Sequence, residues 1–229
     1  MSNASIKNAF ERMWQHVIMA ISSKAAPAGY GLGETNYSNN TSVATAAEVD
    51  ELVHNGWYQF TGTDDTILGM STCAIQVIAS RYGITQIIYV NHSNLSANGI
   101  MAMRSRYNTS SWDGVTWEYI NPPMSINTEY RTTERWEGKP VYRKLIKYTN
   151  ATALSGNASI SIPHGIEDLN MVISAFGTTT QYLLPYVSSS TSLNLSEWSH
   201  SYLYLYNGNS TWSAGRNWYI EIRYIKDGQ

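Results

Sequence analysis

The chain of 229 residues is poor in cysteine and in charge, and each shortage removes a class of protein from consideration. A single cysteine, Cys73, excludes an intrachain disulfide framework and offers no thiolate cluster for zinc. It opens an apolar segment, where it reads as a small buried hydrophobe. Charged residues make up 14% of the chain and the net charge is −2, which leaves no electrostatic footprint for a nucleic acid or an anionic membrane surface. No apolar run approaches the roughly 20 residues that cross a bilayer, so membrane insertion is not expected. Phe10 to Ile21 is apolar only in part, carries Glu11, Arg12, Gln15 and His16, and is followed by no small-residue cleavage site. The expectation is a soluble chain made in a cytoplasm, whose Asn-x-Ser/Thr triplets reflect polar loops rather than glycosylation.

Catalytic motifs are also lacking. The five histidines are scattered at positions 16, 54, 92, 164 and 200, and no Gly-x-Ser-x-Gly elbow accompanies any of them, so a serine or cysteine hydrolase is not expected. A glycosidase needs only two carboxylates at a suitable separation, and Asp64-Asp65 and Glu134/Glu137 are candidates. The first pair reads as a solvated turn, and the second, set beside Arg131 and Arg135, as surface ion pairs. His164, in Ile162-Pro163-His164-Gly165-Ile166, reads as a turn histidine bonded to backbone; the alternative is one ligand of a metal on a three-fold axis. The sequence implies no enzyme activity, no metal and no cofactor.

What is abundant is the aromatic ring with a polar handle: 17 Tyr and 8 Trp against 3 Phe. Such rings serve interfaces and sugar-binding surfaces as readily as cores. Short alternating segments separated by Gly, Asn and Ser, such as Ala74-Gln76-Ile78 and Ile84-Gln86-Ile88, read as half-buried antiparallel strands. Asp113-Gly114 places a turn between Trp112 and Trp117. Phe10, Trp14, Val17 and Ile21 fall on one narrow stripe of a helix from Ser5 to about Ala25, which must pack on its own domain or line up with copies of itself. The glycine-rich segment Ala25 to Glu34 is a hinge, and Thr45-Ala46-Ala47-Glu48 is a capping box opening a helix from Ala46 to His54, with Val49, Leu52 and Val53 buried. Beyond Pro123, strands are expected at Met171 to Phe176, Gln181 to Tyr186, Ser201 to Tyr206 and Asn217 to Ile225. In the third, if Leu203 and Leu205 face the core, Tyr202, Tyr204 and Tyr206 form an outer stripe. The expected fold is mainly β: an N-terminal helix and collar (residues 1–41), a small antiparallel β knob of α+β type (42–123) and a C-terminal antiparallel β-sandwich head (124–229).

A saccharide presents C–H bonds on one face and hydroxyls at its rim, so its site wants a flat ring beside Asn, Asp, Gln or Arg. The chain offers this twice. One cluster is Trp112 with Asp113, Trp117 and Arg106, of which Trp117 reads as core. The other is the loop Tyr206 to Trp212, with Asn207 and Asn209, beside Trp198 and Arg216; here Asn207-Gly208 makes the loop project and Trp212 is expected to be exposed.

Two stretches resemble a known family. The run beginning GWYQF, passing through ITQIIYV and MAMRSR and closing on SSWDGVTWEYINPP is similar to the knob domain of phage tail fibres and of R-type bacteriocins. The segment EYRTTERW-EGKPVYRK, with His164-Gly165-Ile166 downstream, resembles the head domain that ends many phage tail fibres, and APAGYGLG resembles the collar joining helix to β-module. The polar segment Tyr148 to Asn157 departs from the head pattern. The resemblance implies a tail-fibre receptor-binding protein in the virion tail, a homotrimer along the Phe10-Trp14-Val17-Ile21 seam. Its implied partners are other tail or baseplate proteins and a host cell-surface polysaccharide or wall teichoic acid. A structural tail or baseplate component without a ligand, in which the tyrosine stripe joins subunits, is the second reading, and a saccharide depolymerase the third.

Overall fold

The computed structural model describes residues 42–62, 64–90, 99–179, 182–187, 192–208 and 211–228. The expected helical seam at Phe10, Trp14, Val17 and Ile21 and the glycine-rich collar lie outside the described residues. Those described are mainly β, and they fall into two compact units that divide between Trp117 and Glu118.

The first unit runs β1 (Ser42–Val43), α1 (Ala46–Asp50), β2 (Gly56–Thr61), β3 (Thr72–Ala79), β4 (Gly83–Tyr89) and β5 (Met101–Tyr107). The strands form one sheet in chain order, antiparallel except for β1 against β2. Period-two alternation sets its inner face: Cys73, Ile75 and Val77 on β3 and Ile84, Gln86 and Ile88 on β4 are all buried. Helix α1 is a single capped turn. The Thr45 hydroxyl accepts from the Glu48 N–H at 3.2 Å, while the Glu48 carboxylate accepts from Thr45 N–H at 3.1 Å. The backbone N–H groups of Ala44 (2.6 Å) and Thr45, both donating to the Glu48 carboxylate, hold it below its ordinary pKa. The expected continuation to His54 does not form, because the carbonyls that would carry it are taken from elsewhere. Gln86 Nε2 donates to the carbonyls of Val49 (2.7 Å) and Leu52 (3.0 Å), and Trp112 Nε1 to that of Asp50 (2.9 Å).

The second unit begins with β6 (Glu118–Asn121), β7 (Glu129–Trp136), β8 (Lys139–Thr149), β9 (Ala158–Pro163) and β10 (Leu169–Thr178). It continues through β11 (Leu183–Leu184), β12 (Tyr186–Val187), β13 (Ser192–Trp198), β14 (Tyr202–Asn207) and β15 (Asn217–Lys226). One sheet has the order β6-β7-β8-β15-β10-β11 and the other β12-β13-β14-β9. Their facing sides share one core, in which Ile146, Trp218, Ile220 and Ile222 meet Ile162, Leu203 and Leu205. This is a β-sandwich. The β7–β8 hairpin turns on Glu137 and Gly138, both at positive φ (50° and 80°), the two-residue turn whose twist matches the strands. Arg131 and Arg135 pair with Glu118 at 2.9 and 2.7 Å, and Glu134 with Arg223, so the ion pairs expected within this segment reach outside it instead.

Burial pushes the Cys73 thiol up to about 12. The folded chain is therefore expected to resist thiol alkylation at pH 8 and to take up one label per chain only on unfolding in urea. Labelling of the folded chain at the rate of a free thiol would show that the first core is open.

Candidate functional site

Strand β14 has one face in the core and one turned outward. Its even alternation drives Leu203 and Leu205 into the core, both essentially unexposed, and sets Tyr202, Tyr204 and Tyr206 on the opposite face. Successive rings on one face stand roughly 6.8 Å apart along the strand. The neighbours on β9 are small: Pro163 is opposite Tyr202, Ser161 opposite Tyr204 and Ser159 opposite Tyr206, and all three are exposed. On β13, Glu197 stands in register with Tyr204 and Asn194 with Tyr206. The Tyr206 hydroxyl donates to Asn157 Oδ1 at 3.2 Å; Tyr202 is 42% exposed, and Tyr204 and Tyr206 are half-buried. The result is a row of three phenol rings edged by serine hydroxyls and an asparagine, with flat apolar faces and polar rims.

The residues singled out from sequence are distributed differently. Trp212 is buried, at 6% exposure, and not exposed as its Asn-, Ser- and Thr-rich loop suggests. Its backbone exchanges hydrogen bonds with Leu154 (2.8 and 2.9 Å), and its ring packs edge-on to Tyr182 and Trp218. Asn207 is buried as well, accepting from Trp212 Nε1 at 3.0 Å and donating to the Ser155 carbonyl at 2.8 Å. Asn207 and Trp212 thus turn inward, because their polar groups find partners there that outweigh solvent. Arg216 lies over Trp212 at 4.6 Å, and Asn209 lies outside the described residues. Trp198 is 39% exposed but pairs with Leu203, on the face opposite the tyrosines. Of this set, only Tyr206 joins the open stripe.

In the first unit, Trp112, Trp117 and Arg106 do come together, but around a residue that composition does not flag. Arg104, 8% exposed, lies 4.1 Å from the Trp112 ring centroid and 4.4 Å from that of Trp117, and Arg106 lies 4.8 Å from Trp112. Arg104 donates from Nε to Gln86 Oε1 at 2.9 Å and pairs with Asp50. Burial pulls its pKa below the ordinary arginine value, and Asp50 opposes that shift. Guanidinium stacked on indole and bonded to a buried glutamine is packing, and it leaves these rings little free face for a sugar. Asp113 is exposed and bonds to the Ser111 hydroxyl at 2.7 Å.

Among the candidate carboxylates, Asp65 accepts from the backbone N–H of Ala46 (2.7 Å) and Thr66 (2.8 Å), which holds its pKa below the ordinary value. His164 is buried with both ring nitrogens engaged. The Ile166 N–H donates to Nδ1 at 3.0 Å, so the ring proton sits on Nε2, which faces the Ser199 carbonyl at 3.0 Å. Among the described residues, no three His, Cys, Asp or Glu side chains gather as a metal requires.

No family model matches the chain. No curated protein matches it in sequence. Among solved structures it is similar to an N-truncated R2-type pyocin tail fibre at 12% identity, covering 81% of this chain and 97% of that one with a TM-score of 0.25. It is similar also to the R2 pyocin fibre of P. aeruginosa at 12% identity, covering 82% of this chain and 68% of that one, with a TM-score of 0.26. For the R1 pyocin fibre of P. aeruginosa the identity is 10%, the coverage 80% and 66%, and the TM-score 0.25. Likenesses of this degree establish no family membership.

Two outcomes follow from this geometry. Trp212→Ala is expected to cost about 3–5 kcal/mol of stability in urea unfolding, as an emptied core site does; a loss under 1 kcal/mol would mean that the ring is at the surface. Burial lowers the His164 pKa below the ordinary 6.5. The unfolded chain then binds the proton more readily, so the stability from the neutral ring is full above 6.5 and is lost as pH falls through the lowered value. Denaturation midpoints measured from pH 7.5 to 4.5 should fall in that window, and His164→Gln should flatten that part of the profile.

Proposed function

We propose that the chain is a tail-fibre-type receptor-binding protein of a phage or phage-tail-like bacteriocin that attaches to saccharide on a bacterial surface. The observation that carries the reading is the stripe Tyr202-Tyr204-Tyr206, three rings on the outer face of one strand, edged by exposed serines. A rigid strand holds the rings at small conformational cost, and tyrosine combines a face for C–H groups with a hydroxyl that stays hydrated. The tail setting is supported by the knob-like and head-like sequence stretches, and with it come the homotrimer, the other tail or baseplate proteins as partners, and the virion tail as the location. Affinity per stripe is modest, and several copies per fibre supply avidity.

The test is adsorption of the labelled full chain to a panel of bacterial strains, with competition by each strain's purified surface polysaccharide. The expected result is binding to a subset of strains, competed by their polysaccharide and weakened at least ten-fold by Tyr204→Ala, with sedimentation unchanged. Adsorption to no strain, together with altered sedimentation of Tyr204→Ala, would instead make the stripe a subunit contact. Release of reducing ends from the bound polysaccharide would mark a depolymerase.

A further inference from the structure

The stripe does not simply end at Tyr202. Beyond it the turn that leaves β9 and the turn that enters β14 enclose a concave pocket of about 270 Å³, lined by Pro163, His164, Glu167, His200, Ser201 and Tyr202. Tyr202 is both the last ring of the row and a wall of this pocket, and its in-register neighbour Pro163 is another. The two turns are pinned together by one buried side chain. His164 reaches the Ser199 carbonyl at 3.0 Å through Nε2, its backbone N–H donates to the Ser201 carbonyl at 3.3 Å, and its Nδ1 accepts from Ile166 N–H at 3.0 Å. The entering turn is closed on itself as well, with Ser199 N–H donating to the Tyr202 carbonyl (2.8 Å) and Tyr202 N–H donating to the Ser199 hydroxyl (3.1 Å). The cavity is therefore built before any ligand arrives, which keeps the ordering cost of binding low.

Size and chemistry narrow the occupant. A volume just below the roughly 300 Å³ at which pockets for drug-sized ligands begin suits one ring and not a chain. Its lining includes Tyr202, Glu167, His200 and Ser201, residue types whose ring and polar groups suit a hydroxyl-bearing ring. The charges at the pocket are the Glu167 carboxylate and the Lys144 ammonium, which donates to the carbonyl of Gly165, another lining residue, at 2.6 Å. The positions in register with the row are Pro163, Ser161, Ser159, Asn194 and Glu197, with no lysine or arginine among them.

Resting on the reading of the stripe as a saccharide surface, we infer that this pocket is its end subsite, which seats a single uncharged sugar ring, terminal or branching, of a neutral glycan whose following residues run along β14. A phosphate-linked polymer such as a teichoic acid would find no lysine or arginine at the positions paired with the row, and the ammonium beside the pocket, that of Lys144, is bonded to the Gly165 carbonyl.

The experiment uses the full chain against a printed panel of neutral bacterial polysaccharides and their oligosaccharide fragments, with poly(glycerol phosphate) as the anionic probe. Tyr202→Ala, Glu167→Gln and Tyr204→Ala are compared after circular dichroism and melting show each to be folded; all three side chains lie on the surface face. The expected result is binding to at least one neutral glycan, weakened at least ten-fold by Tyr202→Ala and by Glu167→Gln, with poly(glycerol phosphate) bound at least ten-fold more weakly than that glycan. Wild-type binding by both Tyr202→Ala and Glu167→Gln, alongside loss in Tyr204→Ala, would overturn the subsite and leave the receptor reading standing. Equal or tighter binding of poly(glycerol phosphate) would overturn the assignment to neutral sugar alone. Binding to no panel member and to no cell would overturn both.

Discussion

The second unit depends on how two indole N–H groups are satisfied inside a core. Trp212 and Trp218 supply large apolar surface where the two sheets face each other, yet an indole buried with an unmet donor loses roughly 1–3 kcal/mol of that gain. Two buried asparagines prevent the loss. Asn207 accepts from Trp212 Nε1 at 3.0 Å and Asn150 from Trp218 Nε1 at 3.3 Å. Each asparagine then uses its amide nitrogen on loop carbonyls, Asn150 on Thr152 and Ser213 and Asn207 on Ser155. Loops that would otherwise hang in solvent are thereby drawn over the core, and the far end of β14 is fixed in place. With Leu203 and Leu205 anchoring its middle and the His164-bonded turn its start, that strand is held along its length, so the rings on its other face inherit a rigid spacing.

The first unit meets the same difficulty with a charge. Arg104 stands opposite Gln86 in the register of β4 and β5, at a site where its neighbour on the strand, Ala102, is fully buried. An arginine there is tolerated only because Gln86, Asp50 and two indoles surround it, and removing a partner from such a site typically costs about 3–5 kcal/mol. Gln86 serves twice, accepting from Arg104 and donating to the carbonyls of Val49, in the last turn of α1, and of Leu52, just beyond it. The helix is short for that reason: its last carbonyls belong to the sheet.

Much of this order was legible in the residues alone, and where it was not the cause was non-local. Alternation in Tyr202 to Asn207 and in Asn217 to Lys226 determined which side chains enter the core, since a one-residue slip would expose every leucine. The capping box at Thr45 was readable because all its partners lie within four residues. The length of α1 was not, because Gln86 and Trp112 end it from far along the chain. Trp212 misled for the same reason. Asn, Gly and Ser beside it announce a turn, but whether a turn projects or folds back is decided by Leu154 and Ser155, in a segment that itself reads as a polar loop. Asn150 and Arg104 look, by residue type, like surface. The tyrosine stripe was visible as a pattern, whereas its serine margin on β9 and the pocket beyond Tyr202 required the strand pairing.

The unit thus buries Asn150, Asn207 and His164 while the tyrosines of β14 lie on its outer face, and that arrangement has a consequence for affinity. If each ring–sugar contact is worth on the order of 1 kcal/mol, as aromatic contacts commonly are, three rings contribute about 3 kcal/mol. A millimolar complex already requires about 4 kcal/mol. The stripe alone therefore cannot hold a receptor for long, and two additions would change that: a preformed subsite at its end, and further copies of the same surface acting at once. Linking identical weak sites raises avidity by factors of roughly 10²–10⁴ without any new contact. A face so lightly built makes sense as a receptor surface only in a multi-copy assembly, so the ligand and the oligomeric state of this chain are one question, and a monomer with a tight saccharide site would contradict both halves of the answer together.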